Sequence, residues 1–213
     1  MIKLKVDGKE IEASEETTLL QACLDNEIYI PSLCHIKGMK DTPASCRLCF
    51  VELEGEDRPV TSCTIKIRDG MVVRTDSPSV RQLQRTALQL LLSVHNVDCG
   101  HCPANKRCVL QDMARFLKVG LKPKHLDIRL KEIEIDESHP CIYYYPNRCV
   151  LCGRCVHVCK ERHARPFLTF AKRGLDTVIS FYGENDISDI PCKDCLACIE
   201  VCPVSAVILK TGV

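Results

Sequence analysis

Tryptophan is absent from this 213-residue chain, and aromatic residues make up only 5% of it. One large apolar core is therefore not expected, and several small modules are. The ten glycines never fall as G-x-G. That excludes the turn that cradles a dinucleotide pyrophosphate, and no phosphate-binding loop ending in Gly-Lys-Ser/Thr occurs either. The N-terminus, Met1-Ile2-Lys3-Leu4-Lys5-Val6-Asp7-Gly8, has no apolar signal core, and no long apolar run follows. Direct membrane insertion is not expected. An excess of charge is lacking as well: 29 Lys and Arg face 28 Asp and Glu, a formal net charge of +1. This gives no reason to expect nucleic acid or a membrane surface as a partner.

Cysteine is what the chain has in excess, with 17 residues. The count is odd, and most of the cysteines fall in C-x-x-C pairs, a spacing that favours metal or redox chemistry over disulfides. A reducing cytoplasm is the expected location. The clearest motif is written twice, as Cys149-x2-Cys152-x2-Cys155-x3-Cys159 and Cys192-x2-Cys195-x2-Cys198-x3-Cys202-Pro203. This is the bacterial two-cluster ferredoxin spacing, in which the fourth cysteine of each run ligates the cluster of the other run. Cys149, Cys152, Cys155 and Cys202 are thus expected to hold one [4Fe–4S] cluster, and Cys159, Cys192, Cys195 and Cys198 a second. Lys160 stands where the first run would carry proline. Arg47, Arg148, Arg154 and Lys193 are placed to offset part of the negative charge that thiolate-bound clusters add.

The spacing of apolar residues divides the chain into an α+β protein of several modules. Residues 1–78 read as a hairpin (strands over 2–6 and 10–13 about Asp7-Gly8-Lys9), a helix over 17–26 and short strands at 49–54, 58–62 and 71–74. That is the order of a ubiquitin-like β-grasp. The stretch contains Cys34-x11-Cys46-x2-Cys49-x13-Cys63, which suits a [2Fe–2S] cluster but differs from the plant-type spacing, so a zinc site stays open.

Residues 79–120 read as helical. Ser77 caps and Pro78 starts a helix whose stripe is Val80, Leu83, Ala87, Leu90, Leu91 and Val94. His95-x3-Cys99-x2-Cys102-x5-Cys108 follows. A second helix over 108–118 carries Val109, Met113 and Leu117 and stops at Gly120. Three cysteines leave a [4Fe–4S] cluster one ligand short, and His95 is the nearest candidate. A surface or capping histidine, or zinc bound as Cys3His, remains open.

Residues 121–138 read as a linker with one short strand near Ile133 and Ile135. The last module, 139–213, carries the two ferredoxin runs, each leading into a short helix, and a hairpin of 167–171 with 177–181. Two cysteines are left over. Cys23 is expected in the core, and Cys141 is expected there too or as a substitute ligand. Tyr143-Tyr144-Tyr145 reads as an interface patch or as a cover over the adjacent cluster.

In this order, the four ligand sets resemble the N-terminal part of the complex I large iron–sulfur subunit. They also resemble the accessory cluster region of [FeFe]-hydrogenases and the small diaphorase subunit of NAD-reducing [NiFe]-hydrogenases. The resemblance covers the chain from about Ile2 to Lys210. It implies that His95 is a cluster ligand and that Cys34, Cys46, Cys49 and Cys63 hold [2Fe–2S], giving one [2Fe–2S] and three [4Fe–4S] clusters. Only 11 residues follow Cys202, so no catalytic domain is expected, and the diaphorase subunit is the best match in size.

The implied role is an electron-transfer subunit of a hetero-oligomer, relaying between a flavin- and NAD(P)-binding partner and a hydrogenase or related terminal oxidoreductase. The competing readings are a stand-alone or truncated catalytic hydrogenase or reductase, and a zinc-binding scaffold.

Overall fold

Alternating apolar and charged residues build the first two strands, β1 (Ile2–Val6) and β2 (Lys9–Ala13). They pair antiparallel with Leu4 opposite Ile11, and Leu4, Val6, Ile11 and Ala13 are buried on one face. Asp7 and Gly8 turn the chain with φ of 50° and 85°, the left-handed values a two-residue hairpin turn demands. The computed structural model describes residues 1–39, 41–163, 166–181 and 192–210, without the side chains of Lys193 and Asp194. It divides into two compact units, Met1–Leu90 with Met113–Gly120, and Leu91–Asp112 with Leu121–Val213.

In the first unit, α1 (Leu19–Asp25) begins where Thr18 accepts the Gln21 N–H at 3.3 Å, two residues later than periodicity suggests. Leu19, Leu20, Ala22 and Cys23 pack into the core. The strands β3 (Phe50–Leu53), β4 (Val60–Thr61) and β5 (Val72–Arg74) complete a five-stranded sheet of order β2-β1-β5-β3-β4. β1 and β5 run parallel and the other neighbours antiparallel. This is the β-grasp arrangement.

The helix α2 (Pro78–Ser93) starts as expected, with Ser77 Oγ accepting the Val80 N–H at 3.2 Å. Its buried face is not the one that apolar spacing suggests. Val80, Gln84, Ala87, Leu88 and Leu92 are buried, while Leu83 and Leu90 are 37% and 55% exposed. Gln84 decides this, because its Nε2 donates to the Phe50 carbonyl at 3.1 Å and locks the helix rotation. In α3 (Val109–Leu117) the buried residues are Leu110, Met113, Ala114 and Leu117. Lys118, at φ 54°, ends the helix before Gly120, and the Val119 N–H reaches back to the Ala114 carbonyl at 2.9 Å.

In the second unit, β6 (Ile142–Tyr144) pairs antiparallel with β9 (Val207–Leu209), and β7 (Leu168–Ala171) with β8 (Val178–Phe181). The second pair is the expected hairpin; the first joins the two ends of the ferredoxin segment. The helices α4 (Arg154–Arg162), α5 (Cys192–Cys195) and α6 (Ala197–Glu200) begin inside the cysteine runs rather than after them. No strand forms over Ile133–Ile135, where both isoleucines are half exposed. The segment is instead held by Asn147, whose side chain bonds both Lys131 N–H and Lys131 carbonyl, at 2.7 and 3.0 Å.

Candidate metal centres

Four thiols meet at one edge of the first unit. Cys34 lies on the loop after α1, Cys46 and Cys49 lead into β3, and Cys63 sits in a 3-10 turn, Ser62–Thr64, after β4. All four are buried. Cys34 and Cys46 have their sulfurs 3.5 Å apart, and Cys63 lies near enough to Cys34 and Cys49 to shift the titration of both. Ala44 and Arg47, at φ 50° and 52°, bend the loop so that backbone amides turn inward, and Leu33 N–H points at Cys46 Sγ at 3.4 Å.

Hydrogen bonds from Cys46 hold the Cys34 thiol well below its ordinary pKa, and those from Cys63 do the same for Cys49. Cys46 and Cys63 are pushed up in return, each by its thiolate neighbours first and by burial after. Ionising all four sulfurs would crowd like charges in a buried pocket. A cationic iron centre removes that repulsion, and the donor set fits it.

The second group lies in the other unit. Cys99 opens a 3-10 turn, Cys99–His101, and Cys108 immediately precedes α3. Burial raises the Cys108 thiol pKa, and Cys99 and Cys102 are near enough to push it further. His95 follows α2. Its Nδ1 is buried with no hydrogen-bond partner among the described residues, while the ring also bonds the backbone of Arg148. Burial lowers its pKa, so the imidazole is neutral and its orphaned nitrogen suits a metal. His101, in the same segment, is 86% exposed and paired with Asp98 at 3.0 Å, and shows no such feature.

The two ferredoxin runs line two cavities. One has Cys149, Cys152, Cys155 and Cys202 in its wall. The other has Cys159, Cys192, Cys195 and Cys198. Each cavity therefore takes three thiols from one run and the fourth from the other. Backbone amides aim at the sulfurs: Leu151 N–H at Cys149 (3.4 Å), Phe167 N–H at Cys159 (3.2 Å) and Ala206 N–H at Cys202 (3.2 Å). Burial raises the pKa of Cys152 and Cys198 to about 12 and of Cys192 to about 11. Arg154 carries the second orphaned nitrogen, a buried Nε, and its charge favours the Cys152 thiolate. Lys193, the last of the four cations singled out in the sequence, has a side chain outside the described residues.

Two more residues line these cavities, Tyr144 from the tyrosine run singled out in the sequence and His139, which the sequence did not mark. Tyr144 is 1% exposed, unlike its half-buried neighbours Tyr143 and Tyr145, and lines the first cavity. His139 lines the second. Its Nδ1 accepts the N–H groups of Cys141 and Ile142 at 3.0 and 3.2 Å, and burial lowers its pKa to about 4. Cys23 and Cys141 are both buried.

Family models match three stretches: a 2Fe-2S iron-sulfur cluster binding domain over residues 1–78, an NADH-ubiquinone oxidoreductase-G iron-sulfur binding region over 84–121, and a 4Fe-4S dicluster domain over 148–206. The chain is an iron–sulfur electron-transfer protein. It is 35% identical to the G 2 subunit of the NADH-quinone oxidoreductase of Rhizobium meliloti, over 97% of this chain and 24% of the relative. It is 35% identical to NADPH-Fe(3+) oxidoreductase subunit alpha of Geobacter sulfurreducens, over 99% and 24%. Identity to NADP-reducing hydrogenase subunit HndD of Solidesulfovibrio fructosivorans is 32%, over 98% and 36%. This iron–sulfur chain thus spans only a quarter to about a third of those relatives. A chain in the crystal structure of an NAD+-reducing [NiFe]-hydrogenase in the H2-reduced state superposes with a TM-score of 0.86 at 29% identity, covering 99% of this chain and 88% of that one. Among the described residues no helix is long and apolar enough to cross a membrane.

Proposed function

We propose that this chain is the iron–sulfur relay of an NAD(P)-linked oxidoreductase, a cytoplasmic hetero-oligomer. In this reading a flavin- and NAD(P)-binding partner and a hydrogenase or related terminal oxidoreductase stand at its two ends. The observation that carries the reading is the crossed origin of the two four-thiol cavities, which suits two clusters held side by side.

Cys34, Cys46, Cys49 and Cys63 would hold one [2Fe–2S] cluster in the module 1–78. His95, Cys99, Cys102 and Cys108 would hold a [4Fe–4S] cluster in 79–120. Beyond the connecting segment 121–138, the module 139–213 would hold two more, one on Cys149, Cys152, Cys155 and Cys202, the other on Cys159, Cys192, Cys195 and Cys198. When bound, such clusters supply one-electron steps between the two-electron chemistry of a flavin and a distant acceptor. The chain's own residues do the rest. Thiolates and one neutral imidazole set the charge at each station, amide N–H groups stabilise charge on sulfur, and buried side chains exclude water.

The test is iron and acid-labile sulfide on anaerobically purified protein, with about 14 iron atoms per chain expected for one [2Fe–2S] and three [4Fe–4S] clusters. Added NADH or NADPH should reduce the clusters only when the flavoprotein partner is present. Reduction by the isolated chain, or an iron content of zero with zinc in its place, would refute the reading.

A further inference from the structure

Four large apolar side chains of the connecting segment, Ile128, Leu130, Ile133 and Ile135, are between 40% and 51% exposed. One edge of this segment is tied to the second unit. Arg129 N–H donates to the Ser93 carbonyl at 2.8 Å, and the Asn147 side chain bonds Lys131 N–H and carbonyl. Asp136 and Tyr144 exchange N–H bonds to each other's carbonyls at 2.7 and 3.0 Å. Among the described residues, 128, 130 and 132–135 form no backbone hydrogen bond.

The order of the exposed residues has a symmetry of its own. The run Ile128-Arg129-Leu130-Lys131-Glu132-Ile133-Glu134-Ile135 is complementary to itself read backwards. Laid antiparallel on a second copy, about a two-fold axis between Lys131 and Glu132, Ile128 faces Ile135 and Leu130 faces Ile133. In the same register Arg129 faces Glu134 and Lys131 faces Glu132. The match stops at the ends, where Asp127 would face Asp136.

We propose that residues 128–135 are a docking strip for a second copy of this chain, paired antiparallel through that axis. A two-fold contact joins the same patch of both copies, so each apolar and each ionic pair occurs twice. Charges on an open edge ordinarily prevent pairing. Here the basic half meets the acidic half, and a parallel arrangement in register would instead oppose like charges. In a straight strand Leu130 and Ile133 would point to opposite faces. The chain bends at Glu132, and one extra residue there lets both apolar pairs share a face, as at a bulge. Two short ladders then form, 128–130 of one copy with 133–135 of the other, and pairing straightens a second bend at Glu134. The open backbone groups find their partners in these ladders. Such a contact would join two relays into one symmetric assembly, and it is independent of the ligand sets.

Sedimentation equilibrium on the anaerobically purified full chain tests the pairing, with circular dichroism as the check on folding. Eight residues a side is small beside the roughly 20–30 of a standard interface, so a weak, concentration-dependent dimer is expected, loosened by salt. A chain that stays monomeric up to about 1 mM overturns the proposal. Two charge-reversed variants identify the surface, Arg129→Glu with Lys131→Glu, and Glu132→Lys with Glu134→Lys. None of these four residues is buried, so the fold should hold. Each variant alone should self-associate at least about tenfold more weakly, because the ionic pairs become like-charge contacts. An equimolar mixture of the two restores every pair and should recover the dimer. Variants that dimerise like wild type, or a mixture that stays monomeric, overturn the proposal.

Discussion

Burial and protonation act together at single residues of this chain. Cys23 is fully buried in the first unit's core, where burial first and the charge of Asp7 second raise its thiol pKa from 9.0 to about 12. The folded state therefore keeps the proton when the unfolded chain has lost it. The stabilisation is complete below pH 9 and is lost as pH rises from there through 12. Cys23→Ala should flatten the decline in denaturation midpoint over that range, followed by urea titration at successive pH values.

His95 is the second case. Under the proposed ligand set, a neutral imidazole in place of a thiolate would leave its cluster one negative charge short. His95→Cys should retain full iron and lower that cluster's midpoint potential, while His95→Ala should lose the cluster. Spectroscopic redox titration with iron analysis checks both. Spacing alone leaves histidine ligation an even choice; the orphaned Nδ1 is what favours it. Sequence offers no comparable signal for His139, and the run Tyr143-Tyr144-Tyr145 does not say which of its rings is buried, because a buried polar group is recognised by its surroundings and not by its neighbours in the chain.

At the scale of elements, the two ferredoxin runs repeat a backbone device. The residue after the second cysteine of each run is left-handed, Gly153 at φ 75° and Leu196 at φ 45°, and a helix starts directly behind it. In the first run a Cβ on Gly153 would stand 3.4 Å from the Phe170 ring. Gly153→Ala should therefore cost about 1 kcal/mol, chiefly from the left-handed conformation, and Leu196→Gly should recover a similar amount; chemical denaturation of the two variants measures both. The repeat in the cysteines is plain from spacing, whereas the helices' starting points are not. α2 teaches the same lesson. Gln84 sits in the middle of its buried face, and a polar residue there interrupts the apolar period that marks such a face in sequence.

At the scale of the whole molecule, the two units draw on different sources of stability. The first has a five-stranded sheet over a continuous apolar cluster that includes Leu4, Val6, Leu19, Leu20, Ile30, Val51 and Val73. The second has two-stranded sheets and short helices, and pairs of strands are marginal on their own. Its interior is built around the cavities that thiols line, so under the proposed ligand sets metal binding and folding would be coupled there. Oxidative removal of iron in the presence of a chelator should abolish amide-exchange protection in β6 to β9 and in α4. Protection in β1, β2 and β5 should persist. Equal loss in both units would contradict this division of stability.

Ligand spacing determined which cofactors the chain is built for, because three of four cysteines in each ferredoxin run lie close together in the chain and their geometry is local. The alternation in 2–13 likewise determined the opening hairpin. Only the tertiary structure decided what surrounds the sulfurs. β6 meets β9 across more than sixty residues, and that pairing sets Tyr144 opposite Val207 in the wall of the Cys149 cavity. No local pattern carries that information, since the energy that selects the pairing comes from burying surfaces that are far apart in the chain.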